Sequence, residues 1–118
     1  HIFLVNEALQ GGEMVSMPCD RTLGSSKCVT CDFLGAPADF PIGAFVLAEQ
    51  FGVPVLAMFV LKVSASGYRI HVSRIPSPAG GTKRERIESM TRAYANELER
   101  IVRRYPEQWF NFYTFWKR

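Results

Sequence analysis

The chain has 118 residues, of which 47% are hydrophobic and 21% are charged, and its formal net charge is +3. This composition is typical of a folded protein and excludes a disordered or low-complexity chain, and the length predicts a single domain over residues 1–118. No apolar run reaches the roughly 18 residues that a transmembrane helix needs, and residues 1–10 lack a signal-peptide pattern.

The first third of the chain predicts a helix, a strand, a loop, a second strand and a turn, at residues 2–10, 13–17, 18–27, 28–33 and 35–39. Gly11 and Gly12 end the predicted helix, because glycine readily adopts the left-handed conformation that closes a helix. Pro18 ends the first strand, because it cannot donate a backbone hydrogen bond.

The rest predicts a helix, two hairpin strands, a loop and a long helix, at residues 41–50, 53–63, 68–72, 75–82 and 83–105. Pro41 suits the first turn of the helix at 41–50, which is apolar nearly all round and is expected to be buried. The run at 53–61 is expected to be a buried strand. An apolar stripe marks the long helix, at Ile87, Met90, Tyr94, Leu98, Ile101 and Tyr105. We therefore predict an α/β fold, with a mixed sheet of about four strands flanked by helices and a long C-terminal helix.

Three cysteines, Cys19, Cys28 and Cys31, make an odd count that argues against a secreted disulfide framework. Cys28 and Cys31 have the CxxC spacing of metal and redox sites, but no second pair completes a tetrahedral metal site. Residues three apart on a strand face opposite sides, so the two sulfur atoms would diverge. We predict no metal site and no redox role.

Four blocks in order resemble the lipid A and lysophospholipid acyltransferases of bacteria. They are residues 8–21 (ALQGGEMVSMPCDR), 33–44 (FLGAPADFPIGA), 47–48 with 52–55 (LA and GVPV) and 99–109 (ERIVRRYPEQW). The resemblance covers nearly the whole chain and implies a partial glycerolipid-acyltransferase-like fold. It further implies the C-terminal part of a larger, membrane-associated enzyme, peripheral on the cytoplasmic face of the inner membrane.

By this resemblance the substrate-binding residues are Asp20, Arg21, Gly35, Pro41 and Gly43. Arg21 would contact the anionic group of the acceptor, and Asp20 would hold the loop or orient a hydroxyl; a surface ion pair within the loop explains them equally well. Gly35, Pro41 and Gly43 would shape the backbone near the acyl channel. The implied co-substrate is an acyl carrier protein or coenzyme A thioester, and no bound cofactor is expected.

The chain departs from this superfamily at the catalytic motif, a histidine followed after four residues by Asp or Glu. The only histidines are His1 and His71, and Asn6 and Pro76 stand where the acid should be. The motif would therefore belong to a missing N-terminal half, and we expect this chain alone not to catalyse acyl transfer. His71 lies mid-strand, where an ordinary satisfied sheet residue is expected.

The last third is basic, and residues 105–118 are rich in aromatic side chains followed by Lys117 and Arg118. Aromatic and basic residues together are typical of docking on an anionic bilayer, although packing on the core explains part of them. Non-catalytic binding of a lipid or a protein is the alternative function. Nucleic-acid binding through the basic helix is not expected, because the aromatic and basic residues form no recognisable sheet motif. Dimerisation of the fragment is a further hypothesis, as a way to cover the edge and the apolar face that a truncated sheet would expose.

Overall fold

The computed structural model describes residues 7–12, 14 and 27–106. Residues 7–10 are helical (α1). The further elements follow in the order β1 (Cys28–Phe33), β2 (Ala36–Pro41), α2 (Gly43–Phe51), β3 (Val55–Lys62), β4 (Tyr68–Ile75) and α3 (Lys83–Arg104). The predicted α/β class and the long C-terminal helix are confirmed. The predicted strand at 13–17 has only Met14 among the described residues, and Asp20 and Arg21 lie outside them.

The four strands pair as two antiparallel hairpins, β1–β2 and β3–β4. In the first, Cys28 pairs with Pro41 and Phe33 pairs with Ala36. In the second, Val55 pairs with Ile75 at one end. Among the described residues these hairpins form two separate sheets, whereas one mixed sheet was predicted.

Two local predictions around the first hairpin are wrong. The predicted turn at 35–39 is instead a two-residue turn at Leu34 and Gly35. Their φ angles of 53° and 87° are both positive, as a tight hairpin turn requires. Residues 36–41 therefore continue as β2. Pro41 ends this strand instead of starting the helix, which begins at Gly43, because a strand end tolerates a residue without an N–H.

α3 begins where the sequence places a capping box. The Thr82 side chain accepts a hydrogen bond from the Glu85 amide at 3.1 Å. The Glu85 carboxylate accepts one from the Thr82 amide at 2.8 Å. The predicted apolar stripe is confirmed, with Ile87, Met90, Leu98 and Ile101 all buried.

The core consists of two clusters on the same side of α3. The first joins that helix to β1 and β2 through Cys31, Phe33, Ala38, Phe40, Ala95, Leu98 and Val102. The second joins it to α2 and the β3–β4 hairpin through Phe45, Ala57, Ile75, Ile87 and Met90. Phe59 and Tyr94 pack against both clusters. The Tyr94 ring stacks on Phe59 at 6.2 Å and lies 6.4 Å from Phe40.

The burial of α2 and β3 is less complete than their composition predicted. Only Phe45 and Ala48 are buried in α2, because the helix packs on α3 along one face. In β3 only Ala57 and Leu61 are buried, and the alternate residues face away from the core. No helix within the described residues is long and apolar enough to cross a membrane.

An ion pair fixes α2 to the start of α3. The guanidinium of Arg86 places Nε 2.7 Å and Nη2 2.5 Å from Glu49 Oε1, and its Nη1 donates to the Gly81 carbonyl at 2.7 Å. The hydrogen bond from Arg86, together with its charge, holds the pKa of the Glu49 carboxyl below its ordinary value. The pair therefore requires an ionised Glu49.

Replacing Phe40 by alanine tests the first core cluster. Phe40 is completely buried. The cavity should lower the free energy of unfolding by about 3–5 kcal/mol, measured by urea denaturation. Phe51→Ala is the matched control, because Phe51 is only half-buried at the end of α2. Equal losses in the two variants would contradict the assignment of Phe40 to the core.

Glu49→Gln tests the ion pair through its pH dependence. A carboxyl with a lowered folded-state pKa stabilises the protein above the unfolded pKa of about 4.3 and loses that effect as the pH falls through the folded value. The thermal midpoint of the variant should lie below that of the wild type at pH 7, and the two should converge in acid. Glu88→Gln should change the midpoint little at pH 7, because its partner Arg84 is 88% exposed and exposed pairs contribute little. A gap that persists unchanged into acid would contradict the ion pair.

Candidate functional site

The predicted site residues occupy opposite ends of the β1–β2 hairpin. Gly35 lies in the turn, and Pro41 and Gly43 lie at the far end. The intervening strand β2 has six residues. At about 3.3 Å for each residue of a strand, the two ends are roughly 20 Å apart. Gly35 therefore does not share one small pocket with Pro41 and Gly43.

The turn at Gly35 is held by α3. The Leu34 amide, in the turn, donates to Glu99 Oε1 at 2.5 Å, and Arg103 Nε lies 3.3 Å from Glu99 Oε2. The Leu34 amide and then Arg103 lower the pKa of the Glu99 carboxyl. These contacts fix the backbone of the turn, so Gly35 acts on the conformation of the chain.

The other end of this hairpin contains Lys27, the last residue of the loop predicted at 18–27. The Ile42 amide donates to the Lys27 carbonyl at 3.2 Å, which places the start of β1 beside Pro41 and Gly43. Asp20 and Arg21 precede Lys27 by seven and six residues and lie outside the described residues.

A polar cluster between β4 and α3 was not predicted. Among the described residues the buried Nε2 atom of His71 has no hydrogen-bond partner, so the satisfied sheet histidine that was expected is not found there. The His71 ring lies 6.2 Å from Tyr105. Glu97 is near it, and hydrogen bonds from Arg100 and Ser73 lower the pKa of the Glu97 carboxyl. The enclosed position of Nε2 keeps it from acting as a base on a substrate hydroxyl, which must be within hydrogen-bond reach.

The two described cysteines lie on β1 as predicted. Cys31 faces the core at 3% exposure, and Cys28 is half-buried. Burial raises the pKa of both thiols, and the carboxylate of Asp39 adds to this at Cys28. A raised pKa leaves little of the nucleophilic thiolate at neutral pH. Within the described residues no group of three His, Cys, Asp or Glu side chains could hold a metal ion.

The outer surface of the β3–β4 hairpin is apolar and exposed. Six large side chains form what we call the apolar hairpin face, namely Leu56, Met58, Val60, Tyr68, Ile70 and Val72. The sequence analysis expected an exposed apolar face on a truncated sheet but did not locate it on this hairpin, because a continuous apolar run predicts burial on both faces of a strand. One sequence signal was available. No Asp or Glu occurs between Glu49 and Glu85, so this hairpin differs from the rest of the chain in having no acidic residue.

The sequence matches the family described as bacterial lipid A biosynthesis acyltransferase over residues 2–118. The chain belongs to this family. No curated protein matches it significantly. The match extends across both hairpins and α3, so the resemblance seen in four blocks is confirmed at the level of the family. In this member of the family, the Nε2 atom of the one described histidine, His71, is buried.

Gly35→Ala tests the conformational role of this predicted site residue. Gly35 has a φ of 87°, in the left-handed region where L-residues are strained. An alanine there should cost about 1–2 kcal/mol of unfolding free energy, measured by urea denaturation.

Gly80→Ala is the matched control for the turn, since a Cβ at Gly80 meets no atom within 4 Å. Its effect on the unfolding free energy should stay within about 0.5 kcal/mol, as for most surface substitutions. Two neutral substitutions would show that the turn does not need glycine.

Proposed function

We propose that this chain forms the acceptor-side portion of an acyltransferase, which moves a fatty acyl group from a carrier thioester to a lipid or similar acceptor. The observation that carries the proposal is the family match over residues 2–118. The donor is an acyl carrier protein or coenzyme A thioester, and the protein works as a peripheral enzyme at the cytoplasmic face of the inner membrane.

The acceptor would be bound at the Pro41 end of the β1–β2 hairpin. This end contains Lys27, the last residue of the predicted loop that includes Asp20 and Arg21, and the Lys27 carbonyl accepts a hydrogen bond from the Ile42 amide. A guanidinium at Arg21 suits bidentate recognition of a phosphate or carboxylate on the acceptor. Asp20 would hold the loop or orient the acceptor hydroxyl.

The general base would lie outside this chain. In this superfamily the base is a histidine, which must lie close to the acceptor hydroxyl and whose imidazole must be oriented by a carboxylate. Neither His1 nor His71 has Asp or Glu five positions later, and the Nε2 of His71 is buried. The chain alone is therefore proposed to bind and not to catalyse.

A second candidate is a non-catalytic module of the same fold that binds a lipid or a protein. The apolar hairpin face favours it, because an exposed surface of this kind marks an interaction site. The two candidates differ in a simple respect. A longer protein with the His-x4-Asp/Glu pair supports the enzyme, and one without it supports the binding module.

An acyl-transfer assay with labelled thioester donors and a panel of lipid acceptors tests the proposal. It compares a longer protein that contains this chain with the chain alone. Only the longer protein should transfer. Arg21→Ala should raise KM for an anionic acceptor by about 10- to 100-fold, since hydrogen bonds to charged groups contribute about 1.5–3 kcal/mol. Arg84→Ala is the matched control, because Arg84 is 88% exposed on α3. No transfer by a longer protein that contains the histidine pair would favour the binding module.

A further inference from the structure

The apolar hairpin face is continuous across both strands. Met58 pairs with Val72, and Val60 pairs with Ile70, so these four side chains form a block on one side of the sheet. The six members of the face are between 55% and 67% exposed. The inner side of the same hairpin packs on α3 and α2 through Ala57 and Ile75. The outer side is therefore apolar on both strands, and among the described residues it is the inner side that is packed against helices.

An uncovered face of this kind is unusual. Antiparallel strands with one solvated side normally place their polar residues on that side. β3 is apolar on both faces, and β4 alternates but presents Tyr68, Ile70 and Val72 on the exposed side. Contiguous apolar patches of more than roughly a few hundred Å² mark surfaces that bind a protein or a membrane. The charges at the margin of the apolar hairpin face distinguish between a protein and a membrane as its partner.

The charges on this face are all positive. Arg74 stands opposite Leu56 at one end, and Lys62 stands opposite Tyr68 at the other, with both basic residues exposed. No Asp or Glu occurs between Glu49 and Glu85. A second copy would bring the same cations and no carboxylate to a face-to-face contact, which like charges disfavour. A bilayer with anionic headgroups offers an apolar interior to the centre of the face and negative charge to the basic residues at its two ends.

We propose that the apolar hairpin face docks on an anionic lipid bilayer. The block of Met58, Val60, Ile70 and Val72 enters the boundary between headgroups and acyl chains, while Lys62 and Arg74 contact the headgroups. Tyr68 suits the interface, because its ring is apolar and its hydroxyl is polar. The inference rests on the proposed function in one respect, the choice of a lipid surface for an enzyme with a lipid acceptor.

Vesicle flotation tests the docking surface without any acyl donor. The 118-residue chain should float with vesicles of equimolar phosphatidylglycerol and phosphatidylcholine, and weakly or not at all with phosphatidylcholine alone. The double substitution Val60→Thr and Val72→Thr keeps the shape and the β-branched side chains but removes apolar surface. It should lower the vesicle partition constant about tenfold or more, because each exposed face residue loses favourable burial.

Arg74→Gln should lower binding to the anionic vesicles by about fivefold, in line with roughly 1 kcal/mol for each basic residue near such a surface. Arg84→Gln is the matched control, because Arg84 is exposed on α3 outside the face, and its binding should stay at the wild-type level. Met14→Thr is the matched control for the double valine substitution, because Met14 is 92% exposed and does not belong to the face. Its binding should also stay at the wild-type level. Unchanged thermal midpoints confirm that the variants are folded.

Three results would overturn the docking surface. The wild-type chain could fail to float with anionic vesicles, or the double variant could float as well as the wild type. Light scattering could also show a dimer that the double variant dissociates, which would assign the face to a second copy. Failure of the acyltransferase proposal is a separate result, because an inactive longer protein leaves face-dependent flotation unaffected.

Discussion

Each hairpin of this protein depends on α3, because an isolated two-stranded sheet is at best marginally stable in water. The β1–β2 hairpin covers one part of the helix with Phe33 and Phe40, and the β3–β4 hairpin covers another with Ala57 and Ile75. Tyr94 lies where the two parts meet and contacts rings from both sides. Loss of this helix would remove the partner of both hairpins at once, so α3 holds the two sheets in their relative positions.

The sequence predicted the elements well where one strong local pattern determines them. The apolar stripe located α3, and the capping box at Thr82 and Glu85 agrees with the predicted start. It failed where two rules competed. Pro41 fits both a first helical turn and a strand end, and pairing with Cys28 decided for the strand. The two-residue turn at Leu34 was hidden, because a leucine with positive φ is stabilised by packing and by Glu99 from 65 residues away.

The candidate site was predicted less completely, for a different physical reason. Which ends of strands lie together depends on pairing, and no local pattern showed that β1 pairs with β2 in a tight hairpin. That pairing separates Gly35 from Pro41 and brings Lys27 to Ile42. The environment of His71 also depends on long-range packing, because Glu97 reaches it from α3 and Tyr105 from the end of that helix. Composition alone could not place either group beside the histidine.

Charged residues are distributed differently on α3 and on the β3–β4 hairpin. On α3, Arg84, Arg100 and Arg103 each pair with a glutamate one turn away, which is the pattern of a solvated helix face. The β3–β4 hairpin has cations but no carboxylate of its own, so its own charge is positive. Because the same surface is apolar between its two basic ends, a lipid bilayer with an apolar interior and anionic headgroups is the partner that we propose for it.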